Sequence, residues 1–353
     1  MSDLRAELFC DPFAPGVWRF RPLLSRIGYT FSELPWTVRP VAAVETRLEG
    51  EAADSFRTAA TQAGAAADLP VAADLFAEGV PSSWPACEAL VAVRSSQPEA
   101  ARRYLDRLSA RTFAEGEPPT SADTLAALAE SVGVAGDVVR DAVGSRRATA
   151  AVGRDIERGR ALFETLHAHE VRGDPEADEL GARLSDDGGA ADPADGGDDS
   201  AEHDDADAPS APAAQRSLAG SASAVPRPPL VRIYAGDRTV VVDPRTGFDE
   251  FLDVLHRYDP DLGDLDWESQ LYGRKVMTAY SIPDRTAEHL STEPYGEKIR
   301  TILTALGEAF TAEVAACADL DAETVRLELR SQRADGVVES TDSGAWTLSN
   351  QTD

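Results

Sequence analysis

The first 44 residues carry short apolar runs, and helical spacing takes over after them. The run RAELFC, closed by Asp11-Pro12, predicts a strand over residues 5–10. Pro15 suits a first helical turn, and a helix is expected from it to about residue 27. A second strand is expected at 36–44, followed by a helical half. Ser82-Ser83-Trp84-Pro85 reads as a cap, with Pro85 opening a helix that carries Leu90 and Val91. Further helices are predicted at 100–108, 121–132 (Ser121 or Thr120 as cap, Gly133 as stop), 134–143 and 148–171. β-Branched runs at 230–234 and 239–242 flank Ala235-Gly236-Asp237-Arg238 and predict a hairpin. Phe248, Phe251, Leu252 and Leu255 then fall on one face of a helix over 248–258.

The last part reads differently. Ile299, Ile302, Leu303 and Leu306 line one face of a helix over 298–310. Residues 310–349 then resemble a winged helix-turn-helix. Thr311 caps a short helix to Ala318, Leu320-Asp321 makes a turn, and a second helix covers 322–334 with Gly336 as its stop. Strands at 337–339 and 345–348 flank Asp342-Ser343-Gly344 as a wing. In such folds the second helix enters the major groove, and here it would offer Arg326, Arg330 and Arg333. Residues 295–353 hold five Lys/Arg against eleven Asp/Glu, a net −6, which is not the basic face DNA binding usually needs. A protein-interaction or dimerisation module fits the same pattern.

Composition changes the picture in two ways. With 353 residues, 42% of them hydrophobic, the chain can build two or three domains. Its net charge is −28 with a pI near 4.5, and its only lysines are Lys275 and Lys298. Strong acidity with arginine in place of lysine suits a halophilic protein, because the Debye length falls to ~3 Å at molar salt. Part of the charge is local: residues 174–208 hold fourteen Asp or Glu against Arg183, a net of 1 − 14 = −13. That segment is expected to be a disordered insert, read as a solubilising spacer with an acidic interaction tail as the alternative.

Cys10, Cys87 and Cys317 are far apart and form neither CxxC nor a metal-binding spacing. Each sits among apolar neighbours and reads as a core residue. His167 and His169 are spaced i, i+2 on a predicted helix and point to different faces, so no joint metal site is expected. The chain has no GxGxxG, GxxxxGK[ST], HExxH or GxSxG, and no cofactor is implied. The start of the chain carries charges and no signal-peptide core, and no run approaches the ~20 apolar residues of a membrane helix. A cytoplasmic protein without membrane contact is expected.

Residues 9–24, FCDPFAPGVWRFRPLL, carry a specific resemblance. They resemble the active-site segment of DsbA-like thioredoxin-fold proteins of the FrnE and YjbH type. There a strand ends in Asp-Pro and is followed by Cys-x-x-Cys, a Trp, an aromatic and a Pro. Asp11, Pro12, Trp18, Phe20 and Pro22 fit that frame, while the two cysteine positions hold Ala14 and Val17. Residues 81–134 resemble the family's helical insert, with its serine pair, alanine-rich helix and terminal LA…G helix. Pro228 or Pro229, directly before Leu230-Val231, matches the family's cis-proline.

The resemblance implies an α/β, thioredoxin-like fold with an inserted helical subdomain over 1–172 and 226–258. It leaves the acidic insert at 173–225, a bridge at 259–294, and a small winged-helix-like domain at 295–353. In a working member the first cysteine sits at a helix N-terminus, where the dipole lowers its pKa, and the second resolves the mixed disulfide. Alanine and valine can do neither. The expected function is a protein-binding or adaptor role through the cis-proline groove, which pairs with an extended peptide. Asp11, Pro12, Trp18, Phe20, Trp84, Pro228 and Pro229 are its expected lining. Three rivals stand beside this: an atypical oxidoreductase using Cys10, a DNA-binding regulator, and a relative of the kappa-type glutathione transferases. For the last, nothing near Ala14 supplies the usual activating hydroxyl.

Overall fold

The computed structural model describes residues 4–32, 34–171, 229–235, 238–242, 248, 249, 251, 252 and 295–349, with backbone alone at 4, 163–171, 235, 238 and 240. The acidic insert, Pro228, the bridge at 259–294 and the side chains of His167 and His169 lie outside the described residues. The chain divides into two compact units, Met1–Gly159 with Arg227–Asp353, and Arg160–Pro226. The first unit holds the two sheets found among the described residues; the second begins within the last helix of the helical half.

The chain begins with β1 (Leu4–Cys10), α1 (Pro15–Thr30) and β2 (Trp36–Pro40). Six further α-helices follow among the described residues: α2 (Gly50–Ala67), α3 (Trp84–Ser96), α4 (Ala101–Phe113), α5 (Ala122–Ser131), α6 (Gly136–Ala142) and α7 (Arg146–Val171). The chain returns to the sheet through β3 (Leu230–Ala235) and β4 (Arg238–Val242). The strand order is β2-β1-β3-β4. β1 runs parallel to β2 and antiparallel to β3, and β3 is antiparallel to β4. A parallel βαβ unit continued by an antiparallel hairpin, with helices inserted between the halves, is the arrangement of a thioredoxin fold.

Packing follows from the strand pleat, which sends alternate residues to opposite faces. Leu8, Cys10, Val38, Val231, Ile233 and Val242 face one core, with Leu24 and Ile27 of α1 and with Phe248, Phe251 and Leu252. Leu90, Tyr104, Leu105 and Leu125 of the inserted helices belong to the same core. Local signals place the helix ends. Ser121 caps α5 by accepting from the Thr124 N–H at 3.1 Å, and Gly133 follows that helix at φ +87°.

The structure departs from the sequence pattern in two places here. β2 ends at Pro40 and not at 44, because the N–H groups of Ala43 and Val44 turn to the Asp11 carboxylate. α2 has no counterpart among the expected elements. Its buried residues are Ala53, Ala60, Ala63 and Gly64, too small to give a strong apolar stripe.

The C-terminal part consists of α8 (Tyr295–Leu306), β5 (Glu308–Ala309), α9 (Thr311–Ala318), α10 (Ala322–Ala334), β6 (Val338–Ser340) and β7 (Trp346–Leu348). Its antiparallel sheet has the order β5-β7-β6. The helix expected over 298–310 therefore gives way to β5, which pairs with β7 at Ala309 and Trp346. Ile299, Ile302, Val314, Val325 and Leu329 form a core of its own. Phe310, Ala312 and Ala345 pack instead with Trp18, Leu75 and Phe113, in a core shared with α1 and α4. The C-terminal part is thus seated on the outer side of α1.

Candidate functional site

The start of α1 is where a thioredoxin fold places its chemistry. Ala14 is the N-cap residue, with extended backbone and no capping side chain, and the Val17 N–H donates to the Ala14 carbonyl at 3.0 Å. Ala14 and Val17 are both buried. Neither can form a thiolate, so the positive end of the helix has no nucleophile to activate.

Asp11 organises this corner. Its carboxylate accepts from the Phe13 N–H at 2.7 Å, the Ala43 N–H at 2.6 Å, the Val44 N–H at 3.3 Å and the Ser83 hydroxyl at 2.6 Å. One side chain therefore fastens the end of β1, the loop after β2 and the start of α3. Complete burial raises its pKa, against the pull of these four donors. Ser83, expected as part of a helix cap, has its hydroxyl on Asp11.

The residues expected to line the groove differ in exposure. Asp11 and Trp18 are fully buried, and Pro12 and Pro229 are buried as well. Trp18 stacks on Phe113 with ring centres 5.4 Å apart and meets Phe310 edge-on at 5.2 Å. Its indole N–H donates to the Pro70 carbonyl at 3.1 Å. The cause is the C-terminal part, which supplies Phe310 and covers this side of α1. Phe20 and Trp84 are half-buried, as are Pro15 and Gly16 on the first turn of α1. Trp84 donates to Glu88 at 3.1 Å, and Glu88 also accepts from the Thr149 hydroxyl and the Gly144 N–H.

The thiols are placed for packing. Cys10, Cys87 and Cys317 are free and buried, and burial pushes the pKa of each upward. Cys10 lies at the end of β1 within the main core and offers no thiolate near neutral pH.

On α10, Arg330 and Arg333 are exposed. Arg326 is engaged with Glu323 at 2.5 Å and with Asp68, beyond α2, at 3.2 Å. Leu327, on the same helix, is 57% exposed.

Two polar clusters have no signature in the sequence, because their members are far apart along the chain. Arg21 of α1 pairs with Glu313 of α9, and the Ser25 hydroxyl donates to the same carboxylate at 2.6 Å. On the sheet, Glu7 accepts from Arg39, Arg158, Arg232 and Tyr234. Among the described residues no group of three or more His, Cys, Asp or Glu is placed to hold a metal ion. Among them, too, no helix is long and apolar enough to cross a membrane.

No family model matches the chain, and no curated protein matches it. Solved structures do. One, from Nitrosomonas europaea, is described as a "putative protein disulfide isomerase"; it is 14% identical, with a TM-score of 0.46, over 72% of this chain and 99% of that one. Another is the cytosolic disulfide reductase DsbM from Pseudomonas aeruginosa with GSH, 13% identical with a TM-score of 0.41 over 72% of this chain and 99% of that one.

Proposed function

We propose that the chain is a DsbA-like thioredoxin-fold protein of the FrnE and YjbH type that acts by binding protein or peptide in the cytoplasm, without dithiol exchange. One observation carries this reading: the two positions at the start of α1 that would hold the redox pair are Ala14 and Val17, while all three cysteines are buried elsewhere. Catalysis by dithiol exchange needs an accessible thiolate and a resolving thiol, and this corner supplies neither. Pro15, Gly16, Phe20 and Trp84 are half-buried, and the proposal assigns the contact with an extended peptide to them.

The C-terminal part is read as a winged helix, on the strength of its helix, strand, two helices and hairpin with strand order β5-β7-β6. Its role in this proposal is protein contact, since α9 is docked on α1 through a buried ion pair. A second reading, DNA binding through α10, draws support from exposed Arg330 and Arg333. It is weakened by Arg326, which is held by Glu323 and Asp68, and by the net −6 of residues 295–353.

Fluorescence anisotropy with a set of labelled ten-residue extended peptides tests the binding role. Saturable binding by a subset is expected, weakened at least tenfold by Pro15→Glu. That substitution is chosen because an acidic residue suits a helix N-terminus. Binding unaffected by Pro15→Glu, or none at any peptide concentration up to about 1 mM (a ΔG near −4 kcal/mol), removes the proposal.

A further inference from the structure

One face of the four-stranded sheet carries charge where a sheet under a helix usually carries apolar side chains. The pleat sets Arg5 and Glu7 of β1 beside Thr37 and Arg39 of β2 and beside Arg232 and Tyr234 of β3. The register places Glu7 opposite both Thr37 and Arg232, and Arg5 opposite Tyr234. Together with Arg158 from α7 these side chains line a cavity of about 450 Å³.

The charges in this cavity do not balance. Among the described residues Glu7 is the one carboxylate in its lining, and it faces four guanidinium groups. Arg39 directs Nε and Nη2 to Glu7 and Nη1 to Asp155, so its donors are committed. Arg232 gives Nε and Nη2 to Glu7, and among the described residues its Nη1 has no acceptor. Arg158 gives Nη1 to Glu7, and no other described residue takes its Nε or Nη2. Arg5 lies over the Tyr234 ring at 4.5 Å and has no carboxylate partner among the described residues. Adding the flanking pair Arg94 and Asp155 leaves five arginines against two carboxylates. A network serving stability alone would match its charges, above all in a chain of net charge −28. Here the surplus is concentrated at one opening.

We propose that this cavity binds the phosphoryl group of a small phosphorylated molecule. The donors of Arg5, Arg158 and Arg232 that no described residue takes, with the Thr37 hydroxyl, can surround a tetrahedral dianion, and guanidinium forks suit phosphate oxygens. Glu7 acts as a positioning residue that holds Arg39 and Arg232 in place. The volume exceeds that of phosphate alone and falls within the range of small-molecule sites. This site is separate from the start of α1 and does not depend on the peptide-binding reading.

Calorimetric titration at fixed ionic strength tests it, with inorganic phosphate, pyrophosphate and a nucleoside monophosphate as probes. One saturable site is expected. Its affinity should drop at least tenfold in Arg158→Ala and in Arg5→Ala, with the melting temperature unchanged, because both side chains are exposed. Arg140→Ala, on the remote helix α6, should bind as wild type. Tighter binding of the nucleoside monophosphate than of phosphate identifies an organic phosphate as the ligand; equal affinities identify free phosphate. No saturable binding of any probe, or equal binding by all three variants, overturns the proposal.

Discussion

Arg21 and Glu313 meet in a buried ion pair, Nε to Oε2 at 2.9 Å, with only 4% and 2% of their side chains exposed. The two lie near opposite ends of the described chain, and their contact fastens the C-terminal part to α1. The pair is not isolated. Arg21 also donates to the Asp106 carbonyl at 2.7 Å and stacks against Trp18 and Phe310. Glu313 accepts from the Ser25 hydroxyl and the Phe310 N–H. Burial works against the charge on Arg21, but Glu313 and Asp106 more than offset it and raise its pKa.

Removing one partner leaves the other charged and buried, which typically costs about 3–5 kcal/mol. Arg21→Met and Glu313→Leu should each lose that much in urea unfolding. The double variant should lose clearly less than the sum, as contacting residues do. Strict additivity would mean the two side chains are not coupled.

A second expectation concerns Gly64. A Cβ built there would lie 2.3 Å from Val71 Cγ2 and 2.9 Å from the Leu69 carbonyl, with the Trp18 indole behind them. Gly64→Ala should therefore destabilise by about 1–3 kcal/mol through overpacking. Gly153 in α7 has open space at its Cβ, so Gly153→Ala should be neutral or stabilise by up to ~1 kcal/mol. Equal effects of the two substitutions would contradict the close approach of α2 to the loop at 69–71.

Glu7 makes a pH-dependent contribution. Burial alone would raise its pKa, but donors from Arg39, Arg232 and Tyr234 prevail and lower it from 4.5 to about 2. A folded pKa below the unfolded one stabilises the fold above pH 4.5, and this contribution disappears as pH falls towards 2. The shift corresponds to about 3 kcal/mol. The stability difference between wild type and Glu7→Gln, measured by urea unfolding, should therefore be largest near pH ~6 and shrink by pH ~2.5. A difference independent of pH would show that Glu7 is not the titrating group.

The thiols give a direct chemical readout. In native protein at pH ~8, Cys10, Cys87 and Cys317 should resist an aromatic disulfide reagent, since all three are buried with raised pKa values. In denaturant all three should react. Fast native reaction at Cys10 would revive the single-cysteine oxidoreductase.

The strands and most helices are legible in the sequence because their signals are local: the Asp-Pro stop after β1, Pro15 and Pro85 in first turns, Ser121 as cap. α2 is not, because alanine on both faces hides its period. Trp18 departs from expectation for another reason. The motif frame locates it on α1, but its exposure depends on Phe310, which a distant segment brings over it. The Glu7 and Arg21 clusters are invisible for the same cause. Each joins residues from three or more elements, and no spacing along the chain records such a meeting. The cysteines are legible as core residues, since their apolar neighbours in sequence are also their neighbours in space.

The proposed function requires that Ala14 and Val17 stand at the two positions where a DsbA-like dithiol would be. A disulfide-reductase assay in molar salt tests this most directly, comparing wild type, Cys10→Ser, and the double variant Ala14→Cys with Val17→Cys. No turnover is expected from wild type or from Cys10→Ser, and measurable turnover from the double variant. Turnover by wild type that disappears in Cys10→Ser would contradict the assignment, and so would a folded double variant without activity.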